Sequence, residues 1–262
     1  MKYIIKIISV WLVLTAGLYA ENVEIKVGAT ARPHAEILEF VKPMLAKKGI
    51  NLKVVIFQDY ILPNRALASG DLDANFYQHV QFLKEQVKSY DYKFSILAEV
   101  HIEPMGIYSK KYKNIKDITE NASMIISNSV ADRSRTLLLL EKAGLITFNE
   151  GVDRTNVDFS DIKTSKIEFK PEVDPAILSR MYLSNEADLV VINTNYAIEA
   201  GINPLKDALI LEDKNSPYVN ILVSRADNAN NPALLELAKA LKSKETHKFI
   251  LEQFKGAVIP VK

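Results

Sequence analysis

Apolar positions recur along this chain in two alternating rhythms. Short runs of β-branched and large aliphatic residues predict strands at 52–57, 94–100, 124–127, 166–169, 188–193, 208–211 and 219–223. Between them, apolar residues at helical spacing predict helices at 64–69, 78–88, 134–143, 176–183, 194–200 and 232–242. Gly70, Gly144 and Gly201 follow three of these segments, where a left-handed cap ends a helix. Strands separated by helices imply parallel pairing with helices on both faces of the sheet. The expected fold class is therefore α/β.

The stretch from Val27 to Leu38 carries more than periodicity. A strand containing Ile25 and Val27 runs into Gly28 and a short polar turn, and Pro33 stands where a first helical residue is expected. Ile37, Val41, Met44 and Leu45 continue at helical spacing, and Gly49 after Lys47 and Lys48 closes the helix. A strand, glycine turn and helix in that order aim free backbone N–H groups beyond the carboxyl edge of a sheet. An ordinary β–α turn fits the same pattern.

Composition narrows the function classes. The chain has 262 residues, 48% apolar and 25% charged, enough for one large domain or two small ones. A formal net charge of +1, with no long basic run, argues against nucleic acid as a partner. Residues 1–20 differ from the rest: Lys2 and Lys6 precede an apolar run and then small residues, the order of a secretory signal peptide. The run is too short to span a bilayer, which needs roughly 20 residues. Its removal near Ala20 takes two lysines and no acids, and turns the formal charge from +1 to −1. There is no cysteine, hence no disulfide, thiolate metal site or cysteine nucleophile.

Several motifs then follow in order. They are Gly28-Ala29-Thr30 with Pro33-His34-Ala35-Glu36-Ile37-Leu38; Asp59-Tyr60 with Leu62-Pro63-Asn64; and Gly70-Asp71-Leu72-Asp73-Ala74-Asn75 with Gln78-His79. They continue with His101-Ile102-Glu103-Pro104 and Tyr108-Ser109-Lys110-Lys111, then the leucine run from Leu137 with Lys142-Ala143-Gly144-Leu145. Val191-Ile192-Asn193 with Tyr196-Ala197, Ser216-Pro217-Tyr218-Val219-Asn220 and Lys255-Gly256-Ala257-Val258 complete the set. In this order they resemble one family, the methionine-binding proteins of ABC importers (NlpA-type lipoproteins), and the resemblance covers essentially all of the chain beyond residue 20.

It implies a two-lobed periplasmic binding protein fold, type II-like, with a ligand cleft between the lobes. The first lobe is then discontinuous, 21–108 and 224–262, the second is 109–223, and the crossings lie near 107–110 and 218–225. It also implies L-methionine as ligand and an ABC permease with its ATPase as partners, with membrane contact through that permease alone. Family members usually carry an anchoring lipobox cysteine; here Leu18 follows Thr15-Ala16-Gly17 where it would stand. The expectation is a periplasmic protein released by signal cleavage and not lipidated.

The four histidines, His34, His79, His101 and His247, show no i, i+4 pairing and no carboxylate at ligand spacing, so no metal and no cofactor is expected. Asp71 and Asp73 flank a turn and read as structural rather than as an acid–base pair. There is no nucleophile elbow and no phosphate-binding glycine loop, and no enzyme is expected. Tyr60, Tyr77 and Phe82, with Phe76 and His79 beside them, are either plain core or a ligand wall. By resemblance, Tyr60, Tyr77, His79 and Phe82 line the side-chain pocket, where ring edges suit a thioether. Arg135 matches a family arginine before the leucine run and is expected to hold a carboxylate bidentately. Asn193 and Asn220 match family asparagines whose amides serve ammonium or carboxylate.

Two departures bear on the ligand. The family's Asn-Asp-Pro-Thr-Asn is here Asn128-Ser129-Val130-Ala131-Asp132, so Asp132 adds a negative charge beside the expected amino-acid site. It can pair with a ligand ammonium or with Arg133, or weaken carboxylate binding. Arg32 stands where the family tends to have a small residue. The alternative readings are the same fold with a methionine derivative, a Met-containing dipeptide or another amino acid, and, further off, a periplasmic enzyme.

Overall fold

The computed structural model describes residues 23–261; the expected signal peptide lies outside them. The chain begins β1 (Val23–Thr30), α1 (Glu36–Ala46), β2 (Ile50–Phe57), α2 (Leu62–Ser69), β3 (Ala74–His79), α3 (Val80–Tyr90) and β4 (Phe94–Ile102). It continues with β5 (Gly106–Tyr108), β6 (Ala122–Ile125), α4 (Val130–Lys142), β7 (Ile146–Phe148), β8 (Ile162–Ser165) and β9 (Ile167–Phe169). Next are α5 (Pro175–Leu183), β10 (Leu189–Ile192), α6 (Thr194–Glu199), α7 (Pro204–Asp207) and β11 (Ala208–Leu211). Last come β12 (Val219–Arg225), α8 (Pro232–Leu241), α9 (Lys244–Phe254) and β13 (Ile259–Pro260).

Two principal sheets organise these elements into the two-lobed α/β fold. The first has strand order β13-β4-β12-β3-β1-β2, the second β11-β5-β10-β6-β9, and β7 and β8 form a separate hairpin. Period-2 alternation gives the first sheet two buried faces. On β12, Leu222 joins one cluster with Ile37, Val41 and Leu45 of α1 and Leu234 and Leu237 of α8. Its neighbours Ile221 and Val223 join the opposite cluster with Leu67 of α2 and Leu83 of α3. The second sheet has its own core, centred on Ile107, Met124, Leu137, Leu140, Val190 and Ile192.

The sheets are mixed, where the alternation predicted parallel pairing. β12 runs antiparallel to both β3 and β4, and β5 runs antiparallel to both β10 and β11. Both β5 and β12 enter their sheets directly from the other one, with no crossover helix before them. Parallel pairing is tied to such a crossover. The same strands displace the expected crossings: the chain leaves the first sheet after Ile102 and returns between Leu211 and Val219. Against bounds at 108 and 223, β5 lies in the second sheet and β12 in the first. Gly106 begins β5 because a Cβ there would lie 2.6 Å from the Tyr108 ring. The helix predicted at 78–88 starts two residues later, since Gln78 and His79 finish β3. Helix α9 and the β7–β8 hairpin were not foreseen.

Candidate ligand-binding site

The carboxyl ends of strands from both sheets face one pocket, and all seven residues singled out from the sequence line it: Tyr60, Tyr77, His79, Phe82, Arg135, Asn193 and Asn220. The first lobe contributes the aromatic wall. Tyr60 follows β2, Tyr77 is on β3 and Phe82 is in the first turn of α3; the Tyr60 ring lies 6.1 Å from Tyr77 and 6.0 Å from Phe82. Tyr77 Oη donates to the Tyr60 carbonyl at 2.9 Å, fixing the loop that carries the second ring. His79 caps α3, its Nδ1 accepting from the Phe82 N–H at 3.0 Å. Burial pushes its imidazole below the ordinary histidine range, and with Nδ1 accepting, the ring carries its proton on Nε2.

The second lobe supplies the charges. Asp132 and Arg135 sit in the first turns of α4 at i, i+3 and so share a face. Both are buried, at 2% and 4% exposure. Arg135 Nε donates to Glu212 Oε1 at 3.0 Å, and Nη2 donates to Glu212 and, at 2.8 Å, to the Glu103 carbonyl. The guanidinium also lies 4.3 Å from the Tyr218 ring centroid. Its Nη1 makes no hydrogen bond among the described residues. Asp132 accepts from Ser127 Oγ at 3.1 Å and from Asn193 Nδ2 at 3.2 and 3.3 Å. Burial works against its charge, but the imidazole of His79, the guanidinium of Arg135 and the Asn193 amide outweigh it and hold the carboxyl below its ordinary range. Arg133 points elsewhere, to Glu172 at 2.7 Å and Asp158 at 3.1 Å, and is not a partner for Asp132. Arg32 pairs with Glu36 at 2.6 Å and does not line the pocket.

Where the lobes meet, buried polar groups form a hub that linear spacing hid. His34, His101 and Glu103 lie 67 and 2 residues apart in sequence, yet their ligating atoms come within 4.8 Å of one another. The trio could hold a cation, which corrects the expectation that no carboxylate stands beside the histidines. Most of its hydrogen bonds are made without one: His101 Nε2 donates to Glu103 Oε1 at 2.7 Å, and His34 Nε2 lies 3.2 Å from the same oxygen and 3.0 Å from Asn220 Oδ1, while His101 Nδ1 is left without a partner among the described residues. Thr30 Oγ1 then donates to His34 Nδ1 at 2.8 Å. Burial lowers His34 to about 4 and His101 to about 3, which keeps both rings neutral.

Besides the Arg135 bond to the Glu103 carbonyl, three hydrogen bonds cross between the lobes or onto the crossing segment. Tyr60 Oη donates to Asn195 Oδ1 at 2.6 Å, Tyr196 Oη donates to the Gln58 carbonyl at 3.2 Å, and Thr194 Oγ1 donates to the Pro104 carbonyl. Two pocket atoms are left without a partner among the described residues, the Asn193 Oδ1 acceptor and the Asn195 Nδ2 donor. Sequence reading passed over His34, Gln78, Glu103, Thr194 and Asn195 as pocket residues. His34, Glu103 and Gln78 were inside noted motifs, but nothing in their spacing pointed inward.

Two α/β lobes joined through paired crossings, with an aromatic wall on one side and buried polar handles on the other, define a solute-binding protein of the periplasmic type. The chain belongs to the NlpA lipoprotein family, whose model matches residues 25–262. It is 43% identical to the methionine-binding lipoprotein MetQ of Bacillus subtilis over 249 residues, 94% of this chain and 90% of that protein. The D-methionine-binding lipoprotein MetQ of Escherichia coli K12 is 33% identical, over 90% of this chain and 87% of that one. Among solved structures, a nutrient-binding protein from Burkholderia cenocepacia bound to methionine superposes with a TM-score of 0.85 at 40% identity, covering 91% of this chain and all of that one. The family is one of substrate-binding lipoproteins and not of enzymes.

Proposed function

We propose that this protein captures L-methionine between its lobes in the periplasm and delivers it to an ABC permease driven by its ATPase. The observation that carries the reading is the division of one pocket into an apolar aromatic end and a polar end, on a chain whose relatives are named for methionine. Tyr60, Tyr77, Phe82 and His79 take the thioether side chain, whose burial contributes on the order of 2 kcal/mol. Arg135 presents its free Nη1 to the carboxylate, and Asn193 and Asn220 complete the amino-acid site. Closure over the ligand creates the surface that a permease reads. The lobes correspond to the two sheets, the first lobe holding β1–β4, β12 and β13 and the second β5–β11.

The protein reaches the periplasm through its N-terminal signal and stays unlipidated, since no cysteine is present to carry a lipid. Intact mass of the protein from its native envelope then equals the cleaved polypeptide alone; a lipid-sized excess would overturn this. Among the described residues no helix is long and apolar enough to cross a membrane.

Calorimetry with L-methionine, D-methionine and a panel of other amino acids tests the ligand. A dissociation constant for L-methionine in the micromolar range or below, about −8 kcal/mol or better, supports the reading. Preference for an amino acid without a thioether would replace the ligand and leave the importer role.

A further inference from the structure

The charges around the polar end do not balance, and the imbalance selects the ligand's charge. Arg135 is already neutralised by Glu212, which grips its Nε and Nη2. Asp132 has no cation gripping it in this way: the Arg135 charge one helical turn away helps hold its carboxyl below the ordinary range but makes no hydrogen bond to it. Every hydrogen bond it accepts comes from a neutral donor, the Ser127 hydroxyl and the Asn193 amide. The one basic side chain within 4.0 Å of it among the described residues is the His79 imidazole at 3.8 Å, a ring whose Nδ1 is an acceptor, taken up by the Phe82 N–H. A buried carboxylate without a cation is costly, and a ligand that brings one recovers that cost. A second observation points to the same ligand group. Asn193 turns its Nδ2 toward Asp132, which leaves its Oδ1, on a side chain 92% buried, without any donor. An anion beside an unpartnered acceptor fits a group with several N–H donors and a positive charge.

Building on the proposed amino-acid reading, we infer that Asp132 and Asn193 form a receptor for a primary ammonium, and that this ammonium, rather than the carboxylate, is the ligand's obligatory handle. The favoured class is then any methionine with a free α-amine, including forms whose carboxyl is uncharged, such as an amide or the N-terminal residue of a peptide. N-acylated forms, which lose the cation and place a carbonyl near Asp132, are excluded.

Titration calorimetry of the full protein with L-methionine, L-methioninamide and N-acetyl-L-methionine tests the inference. The measurement is made at pH 6, where an α-amine with a pKa of about 7.7–8.0 is charged. The amide should bind within about tenfold of methionine, the loss expected when one charge-assisted bond becomes neutral. The acetylated form should bind at least about 100-fold more weakly, because it leaves a buried polar site unmatched. Asp132→Asn, which keeps the shape, should narrow the gap between the amide and the acetylated form by about tenfold or more. Acetylated methionine binding as well as the amide to the parent, or an unchanged gap in a folded Asp132→Asn protein, overturns the inference. If methionine fails but another primary amino acid binds, the functional reading falls, and the free, amidated and acetylated forms of that amino acid decide the ammonium question. If no primary amine binds, both fall.

Discussion

The two walls of the pocket are built on different physics. The first-lobe wall, Tyr60, Tyr77 and Phe82 with the His34–His101–Glu103–Asn220 hub behind it, is largely satisfied without a ligand: rings touch rings, and most donors meet acceptors. The second-lobe wall holds a paired guanidinium, an unpaired carboxylate and two amide atoms without partners. A preformed apolar wall loses little by waiting for its ligand, whereas buried charges are held at a cost that ligand binding relieves. On the proposed reading, shape and class of side chain are read by the first lobe, and the charged ends of the ligand by the second.

The largest effect that would break this division is at Arg135. Arg135→Ala should weaken L-methionine binding by about 2–5 kcal/mol and, unlike truncation of a solvated cleft arginine, also destabilise the unliganded protein by about 3–5 kcal/mol, because Glu212 is left buried without its partner. At 4% exposure the guanidinium is buried even without ligand. Calorimetry and thermal denaturation on the same variant separate the two losses. Unchanged stability would place Arg135 outside the structural frame of the second lobe.

Acid tests the first lobe. His34 is lowered from 6.5 to about 4 and His101 to about 3. Below pH 6.5 the unfolded chain takes up protons that the folded hub refuses, so stability is full above that pH and falls as pH drops toward 4, by up to about 3 kcal/mol from His34 alone. Glu103, raised by burial, acts in the opposite sense and softens the fall. Melting temperature should decline from pH 7 to 4.5; a flat profile would mean that the hub already carries a proton.

Asn220 sharpens the comparison, since it belongs to β12 of the first lobe yet lines the pocket. Asn220→Ala removes the acceptor of His34 Nε2 and should cost about 1–3 kcal/mol in stability along with at least tenfold in binding. A binding loss with no stability loss would move it from hub to ligand contact alone. The smallest expected effect is Tyr60→Phe, which deletes the hydroxyl that reaches Asn195 across the lobes at 2.6 Å. Binding should weaken by about 0.5–1.5 kcal/mol while the ring wall persists. Small-angle scattering should show a more open unliganded protein, and an unchanged profile would leave that bond without a role in closure.

Most strands and helices were legible because their apolar period is a local property: 208–211 is β11 with the same bounds, and the predicted 176–183 and 232–242 fall within one residue of α5 and α8 at each end. Glycine caps and the strand–turn–helix at Gly28 were equally local. The seven pocket residues came from motif resemblance, which supplies identity but not contacts. What the linear chain could not determine is whatever depends on residues far apart meeting. The antiparallel entry of β5 and β12, the joining of His34 with His101 and Glu103, and the neutralisation of Arg135 by Glu212, 77 positions away, arise from the two crossings. Local periodicity sets which residues can form an element. Only the folded arrangement sets which buried charges find a partner: Arg135 meets Glu212, while Asp132 meets a hydroxyl and an amide.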